Sequence, residues 1–198
     1  ISLAKKGSQQ SSGSVRIIGG KWRSRNLRFV SVDGLRPTGS RIRETLFNWL
    51  APTIEGARCL DLFAGSGALC FEALSRGAGS CVAIEANSQA VSELRYNQAQ
   101  LTANNLDIVS GDCQKLLERG NTVQPYDIIF LDPPFDMKLH KQASRLLISG
   151  NWLASKAQIY CEFPATEAQD LPLSWRLIKD KIAGNVRYCL FEYVEQTA

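Results

Sequence analysis

The chain has 198 residues, 44% of them hydrophobic and 21% charged, with a net charge of +4. This is the balance of a soluble globular protein with a substantial core, most simply one domain with an appendage. No apolar run reaches the length of a membrane span, and residues 1–14 are polar with no signal-peptide core, so a cytoplasmic protein with no membrane partner is expected.

The charge is unevenly spread. Residues 1–50 hold ten Lys/Arg against Asp33 and Glu44, net +8, whereas residues 51–198 hold thirteen against seventeen acids, net −4. A basic segment ahead of a mildly acidic body points to a polyanionic partner met from the N-terminal side. Trp22, Leu27 and Phe29, interleaved with the cations, argue against a mere solubilising leader. The six cysteines (Cys59, Cys70, Cys81, Cys113, Cys161, Cys189) form no C-x-x-C pair, and His140 is the single histidine. Neither zinc nor a disulfide framework is expected from that spacing; reduced core thiols are.

Residues 1–14, rich in Ser, Gln, Lys and Gly, are expected to be a disordered leader. Residues 15–18, Gly19-Gly20 and residues 21–29 predict a small β element in which Arg16, Lys21, Arg23, Arg25 and Arg28 give a phosphate-binding face. Leu35-Arg36-Pro37-Thr38-Gly39 predicts a turn and Ser40 a helix N-cap. Ile42, Leu46, Trp49 and Leu50 then share one helical face until Pro52 stops it. Arg41 and Arg43 lie near the first turn, where cations oppose the helix dipole, so they either meet an anion or are simply solvated.

From Cys59 onward strand and helix alternate, which predicts a parallel α/β sheet. The apolar run Cys59-Leu-Asp-Leu-Phe63 breaks at Gly65-Ser66-Gly67 and a helix follows, the strand–glycine turn–helix geometry of a cofactor site. The turn calls for glycine, both for positive φ and for close ligand approach. It is not the dinucleotide pattern, because position 70 is Cys where a third glycine belongs. Asp61 would also repel a pyrophosphate and suits a cationic or amine-bearing ligand, which disfavours a hydride-transferring Rossmann protein. A second strand over 80–84 ends in Glu85, where such folds bind ribose hydroxyls. A helix over 88–101 and a short strand over 107–110 follow, closed by Gly111-Asp112-Cys113, by itself only a turn. Residues 126–131 read as a fully buried fourth strand running into Asp132-Pro133-Pro134-Phe135. A helix over 138–149, a fifth strand over 157–163, and an antiparallel pair over 175–181 and 186–194 complete the chain.

Two of these stretches resemble known signatures. Asp61-x-Phe63-Ala64-Gly65-Ser66-Gly67 is similar to motif I of the class I S-adenosylmethionine-dependent methyltransferases. Asp132-Pro-Pro-Phe135 resembles the [N/D]-P-P-[Y/F] loop of methyltransferases that act on exocyclic or amide nitrogens. The chemistry explains the residue types. An aryl amine is a poor nucleophile because its lone pair is delocalised. A carboxylate and a backbone carbonyl accepting its N–H bonds return density to nitrogen and aim it. Prolines stiffen the loop, and Phe135 can stack on a base held out of its helix.

Together with Arg16-Ile-Ile-Gly-Gly-Lys-Trp-Arg23, Leu35-Arg36-Pro-Thr38 and Arg41-x-Arg43-Glu-Thr-Leu-Phe-Asn-Trp-Leu50, these motifs resemble the RsmD family of bacterial 16S rRNA guanine-N2 methyltransferases, from about Val15 to the C-terminus. The resemblance implies a Rossmann-like class I methyltransferase sheet, mostly parallel with one C-terminal antiparallel strand, in the order 3-2-1-4-5-7-6, plus a small N-terminal β/helix extension. It implies a division into leader 1–14, RNA-binding extension 15–52 carrying Arg16, Lys21, Arg23, Arg25, Arg28, Arg36, Arg41 and Arg43, and catalytic domain 53–198. The cofactor S-adenosylmethionine would be held by Asp61, Phe63, Ala64, Gly65, Ser66, Gly67, Glu85, Asp112 and Cys113, the last two meeting the adenine. Asp132, Pro133, Pro134 and Phe135 would form the catalytic loop, with no metal. The implied substrate is 16S rRNA in a 30S particle or assembly intermediate, and the enzyme a monomer. A DNA adenine-N6 or glutamine-N5 methyltransferase shares the loop but usually has Asn at its first position. A non-catalytic assembly factor should have lost the glycine loop or Asp132, and neither is lost.

Overall fold

The computed structural model describes residues 12–30, 38–134, 137–166 and 170–195. Strands β1 (Ser12–Arg16) and β2 (Asn26–Val30) form an antiparallel hairpin, so residues 12–14, part of the segment expected to be a disordered leader, lie in a strand. Helix α1 (Ser40–Leu50) follows. The N-cap is Gly39, without a side-chain cap bond, and Ser40 is already helical rather than the expected cap. The buried face of α1 is wider than the predicted stripe: Phe47 and Arg43 join Ile42, Leu46 and Leu50, while Trp49 is only partly buried and stacks on Tyr188.

The body comprises β3 (Arg58–Asp61), α2 (Ala68–Ser75), β4 (Ser80–Glu85), α3 (Ser88–Leu101), β5 (Leu106–Ser110), α4 (Cys113–Leu117), β6 (Tyr126–Leu131), α5 (Met137–Ser149), β7 (Leu153–Pro164), β8 (Trp175–Ala183) and β9 (Val186–Tyr193). Their sheet runs β5-β4-β3-β6-β7-β9-β8, the expected order counted from β3, with β9 antiparallel to both neighbours. Neighbouring strands leave β3 in opposite directions, toward β4 and toward β6, which opens a crevice at their carboxyl ends. Apolar residues fill both faces of the sheet, against α1, α2 and α3 on one side and α4 and α5 on the other. Strand β7 starts earlier than predicted because Leu153 pairs with Tyr126 ahead of a register shift, where Lys156 adopts φ 62°. All six cysteines are buried and outside any disulfide, and no described helix is long and apolar enough to cross a membrane.

The N-terminal segment is packed onto this body. Every residue of α2 is buried, Glu72 and Ser75 among its otherwise apolar residues, and the link between β1 and β2 supplies the cover. Gly20, at φ 75°, lies so close that a Cβ would sit 1.8 Å from the Ser75 carbonyl oxygen, hence the glycine. The Glu72 carboxylate, fully buried, accepts from the Ile18 and Gly19 amides at 2.8 Å each and from Arg76 Nε at 2.7 Å. Arg43 contacts the same carboxylate at 3.4 Å and donates to the carbonyls of Arg16 and Thr38. Glu72→Ala strands a buried guanidinium and two amides, so it should lower unfolding stability by about 3–5 kcal/mol in denaturant titration. A loss below about 1 kcal/mol would mean the network is dispensable.

Candidate active site

A cleft of about 770 Å³ opens at the carboxyl ends of the central strands and is roofed by Phe29, Val30 and Thr38 of the N-terminal segment. It brings together most of the residues singled out from sequence: Asp61, Phe63, Ala64, Gly65, Ser66, Glu85, Asp112, Cys113, Asp132, Pro133 and Pro134 all line it. Gly67 does not. Its φ of 78° makes the left-handed N-cap of α2, but an added Cβ would strike Leu94 at 2.6 Å and Phe71 at 2.7 Å. Helix packing, not ligand approach, is what demands glycine there. Phe135 and Arg36 lie outside the described residues.

One half of the cleft is built around Asp61, which ends β3 and is 2% exposed. Burial pushes its carboxyl up to about 7; the Phe63 amide opposes this and Glu85 adds to it. Its Oδ2 is buried without a hydrogen-bond partner among the described residues, in a wall of a cleft that would admit a donor. Glu85, at the end of β4, is fixed by two backbone donors, Gly65 N–H to Oε2 at 2.8 Å and Asn87 N–H to Oε1 at 2.7 Å. Both oxygens retain lone pairs for a vicinal diol. Asp112 caps α4 by accepting from the Lys115 amide at 3.0 Å, a helix that the sequence pattern does not predict.

The other half centres on Asp132, directly after β6. Thr38 Oγ1 donates to its Oδ2 at 3.3 Å. Burial first, then Glu162 and Asp61, raise the Asp132 carboxyl well above the usual range, with Thr38 opposing. Glu162 in β7 lines the cleft beside it and accepts the Tyr160 hydroxyl on Oε1 at 2.6 Å. Its carboxyl is also raised by burial, against the pull of Tyr160 and Thr38. His140 of α5 lines the cleft too, its ring 4.5 Å from that of Phe163. Thr38, His140, Tyr160 and Glu162 were all missed from sequence. Thr38 had appeared only as the end of the Leu35-to-Thr38 motif and His140 only as the single histidine, neither with a role, while the signal for Glu162 is an acid interrupting the apolar run of the fifth strand.

The predicted RNA-contacting cations divide. Arg16, Lys21, Arg23, Arg25, Arg28 and Arg41 are exposed. Lys21 lies 4.3 Å over the Trp22 ring, and Arg28 lies 4.2 Å over Tyr96 and 3.5 Å from Glu93. Arg43 is 2% exposed and occupied by Glu72 and backbone carbonyls, so it is removed from the candidate RNA contacts. A shallower groove of about 550 Å³ runs past Arg16 and Arg23 and meets the main cleft at Phe29 and Thr38.

A mostly parallel seven-stranded sheet in this order, with a glycine turn after its first strand and a carboxylate-proline-proline loop after its fourth, is the class I methyltransferase fold. The family model described as Conserved hypothetical protein 95 matches residues 15–192. Ribosomal RNA small subunit methyltransferase D of Escherichia coli K12 is 44% identical over 189 residues, 95% of this chain and 94% of that protein. Its Haemophilus influenzae counterpart is 41% identical over 182 residues, 91% of this chain and 94% of its own length. The solved structure of Escherichia coli yhhF superposes with a TM-score of 0.83 at 45% identity, over 93% of this chain and 100% of that one. The chain belongs to the RsmD family.

Proposed function

We propose that this protein transfers a methyl group from S-adenosylmethionine to the exocyclic N2 of a guanine in 16S rRNA, within a small-subunit particle in the cytoplasm. The observation that carries the reading is the union, in one cleft, of a cation-seeking half around Asp61 and Glu85 with an amine-seeking half around Asp132. The names of the relatives support a small-subunit rRNA substrate. The cofactor, when bound, supplies a methyl group already activated by positive charge on sulfur.

The chain's residues do the rest. Asp61 Oδ2, lacking a donor, suits the cofactor's α-ammonium group, and ionises more readily beside it. Glu85 suits the ribose hydroxyls; Asp112 and the Cys113 amide, which line the same cleft, suit the adenine edge. The Asp132 carboxylate accepts an N–H of the substrate amine, raising its nucleophilicity, aiming its lone pair, and standing ready for its proton. Proline carbonyls after it can accept the second N–H. Arg16 and Arg23 line the groove by which flanking nucleotides reach the cleft.

Label from S-adenosylmethionine should enter 16S rRNA or 30S particles and not DNA; comparing free rRNA with particles tells whether ribosomal proteins form part of the substrate. Incorporation into DNA alone would contradict the reading, and cofactor binding without incorporation anywhere would favour an assembly factor. Arg16→Ala with Arg23→Ala should flatten the plot of log K against log salt for rRNA by about 0.7 per lost phosphate contact. Parallel slopes would take the groove out of the RNA path.

A further inference from the structure

We infer that Glu162 selects guanine, by accepting the ring N1–H of the base whose amino group Asp132 holds. The inference rests on the guanine-N2 reading above. Strands β6 and β7 are parallel with Leu131 opposite Cys161, which brings the next residues, Asp132 and Glu162, side by side on the cleft wall. The Thr38 hydroxyl donates to Asp132 Oδ2 at 3.3 Å and also opposes the rise of the Glu162 carboxyl. The Tyr160 hydroxyl, donating at 2.6 Å, fixes Glu162 as an acceptor. Among the described residues neither carboxyl forms an ion pair with Lys or Arg. Two adjacent acceptors with no cation between them call for two adjacent donors from the ligand.

Base chemistry then decides which ligand. Guanine presents N1–H next to its 2-amino group, donor beside donor. Adenine and cytosine place a ring-nitrogen lone pair next to their amines, and that lone pair would face the Glu162 carboxylate. The Asp132 loop alone accepts any aryl amine. Glu162 adds the repulsive element that rejects the wrong ones.

The test begins by mapping the N2-methylated guanine made by the unaltered protein. That position in 16S rRNA is then replaced by 2-aminopurine, which keeps the 2-amino group but carries a lone pair at N1. The guanine-to-2-aminopurine rate ratio is measured for the unaltered protein, Glu162→Gln and Glu162→Ala. This ratio is independent of the fraction of each variant that folds, and the missing 6-oxygen affects all three alike. The unaltered protein should favour guanine by about 100-fold or more. Glu162→Gln, whose amide can donate to N1, should narrow the ratio about tenfold or more, and Glu162→Ala should narrow it less. A ratio unchanged in both variants, however slow they become, overturns the assignment and leaves Glu162 a structural acid. Absence of N2-methylguanosine with the unaltered protein is a separate result, failing the reading of the reaction and this inference with it.

Discussion

Asp132→Ala should lower turnover by about 10³-fold while S-adenosylmethionine affinity stays within about threefold. The split follows from position. Asp132 lies after β6 and bonds to Thr38, whereas Asp61 and Glu85 hang from β3 and β4, Glu85 held by its own backbone donors. Removing Asp132 leaves those donors untouched but deprives the amine of the acceptor that orients it and takes up its charge. The ionised carboxyl is the stronger acceptor of the amine N–H and the only form that can take its proton, and burial, Glu162 and Asp61 all raise the Asp132 carboxyl in the free protein. The acid limb of kcat/KM should therefore lie well above the ordinary carboxylate range. Single-turnover rates and cofactor titration measure the two effects separately. Equal loss of both would mean that Asp132 supports the cleft rather than the reaction.

Asp61→Asn should act in the opposite sense on stability and on binding. Burial lets the folded protein hold the Asp61 proton up to about 7, against 3.8 for an ordinary aspartate. Between these values the folded state carries a proton that the unfolded chain has released, so unfolding stability falls as pH rises through that window and levels above it. The full swing is at most about 4 kcal/mol, because one proton held across a window of about three pH units contributes at most about 1.4 kcal/mol for each. Asn carries no such charge, so the variant should be more stable than the parent above pH 7 and lack this slope. It should also bind S-adenosylmethionine about 10- to 100-fold more weakly, having lost a charged acceptor for the α-ammonium group. Denaturant titration at several pH values with calorimetric binding reads both. A variant with the parent's pH slope would show that Asp61 is already ionised in the free protein.

Much of the fold was legible because buried parallel strands announce themselves as continuous apolar runs. The strand over 126–131 coincides with β6, and the helix over 88–101 with α3. The carboxylates that end such runs, Asp61, Glu85 and Asp132, were legible for the same reason: an acid there lacks a packing rationale. Glu162 carries the same mark inside β7 but belongs to no quoted motif. Thr38 stood in a quoted motif without a role, and it and His140 enter the cleft through tertiary packing, which local pattern does not encode. Arg43 is the instructive case: its place near the first turn of α1 left an anion or solvent open, and the resemblance put it among the RNA contacts, but its anion is Glu72 of α2, inside the protein. Helix α4 was missed because only five residues form it, and an Asp cap serves a turn equally well.

The central claim is that the Asp132 side of the cleft presents the 2-amino group of a guanine to the methyl donor. The most direct measurement is the identity of the labelled nucleoside after reaction of the protein with labelled S-adenosylmethionine and small-subunit rRNA, digested and resolved against standards. Label in N2-methylguanosine, lost with Asp132→Ala, is the predicted result. Label confined to N6-methyladenine would contradict the account, since the same loop would then be serving a base that Glu162 should reject.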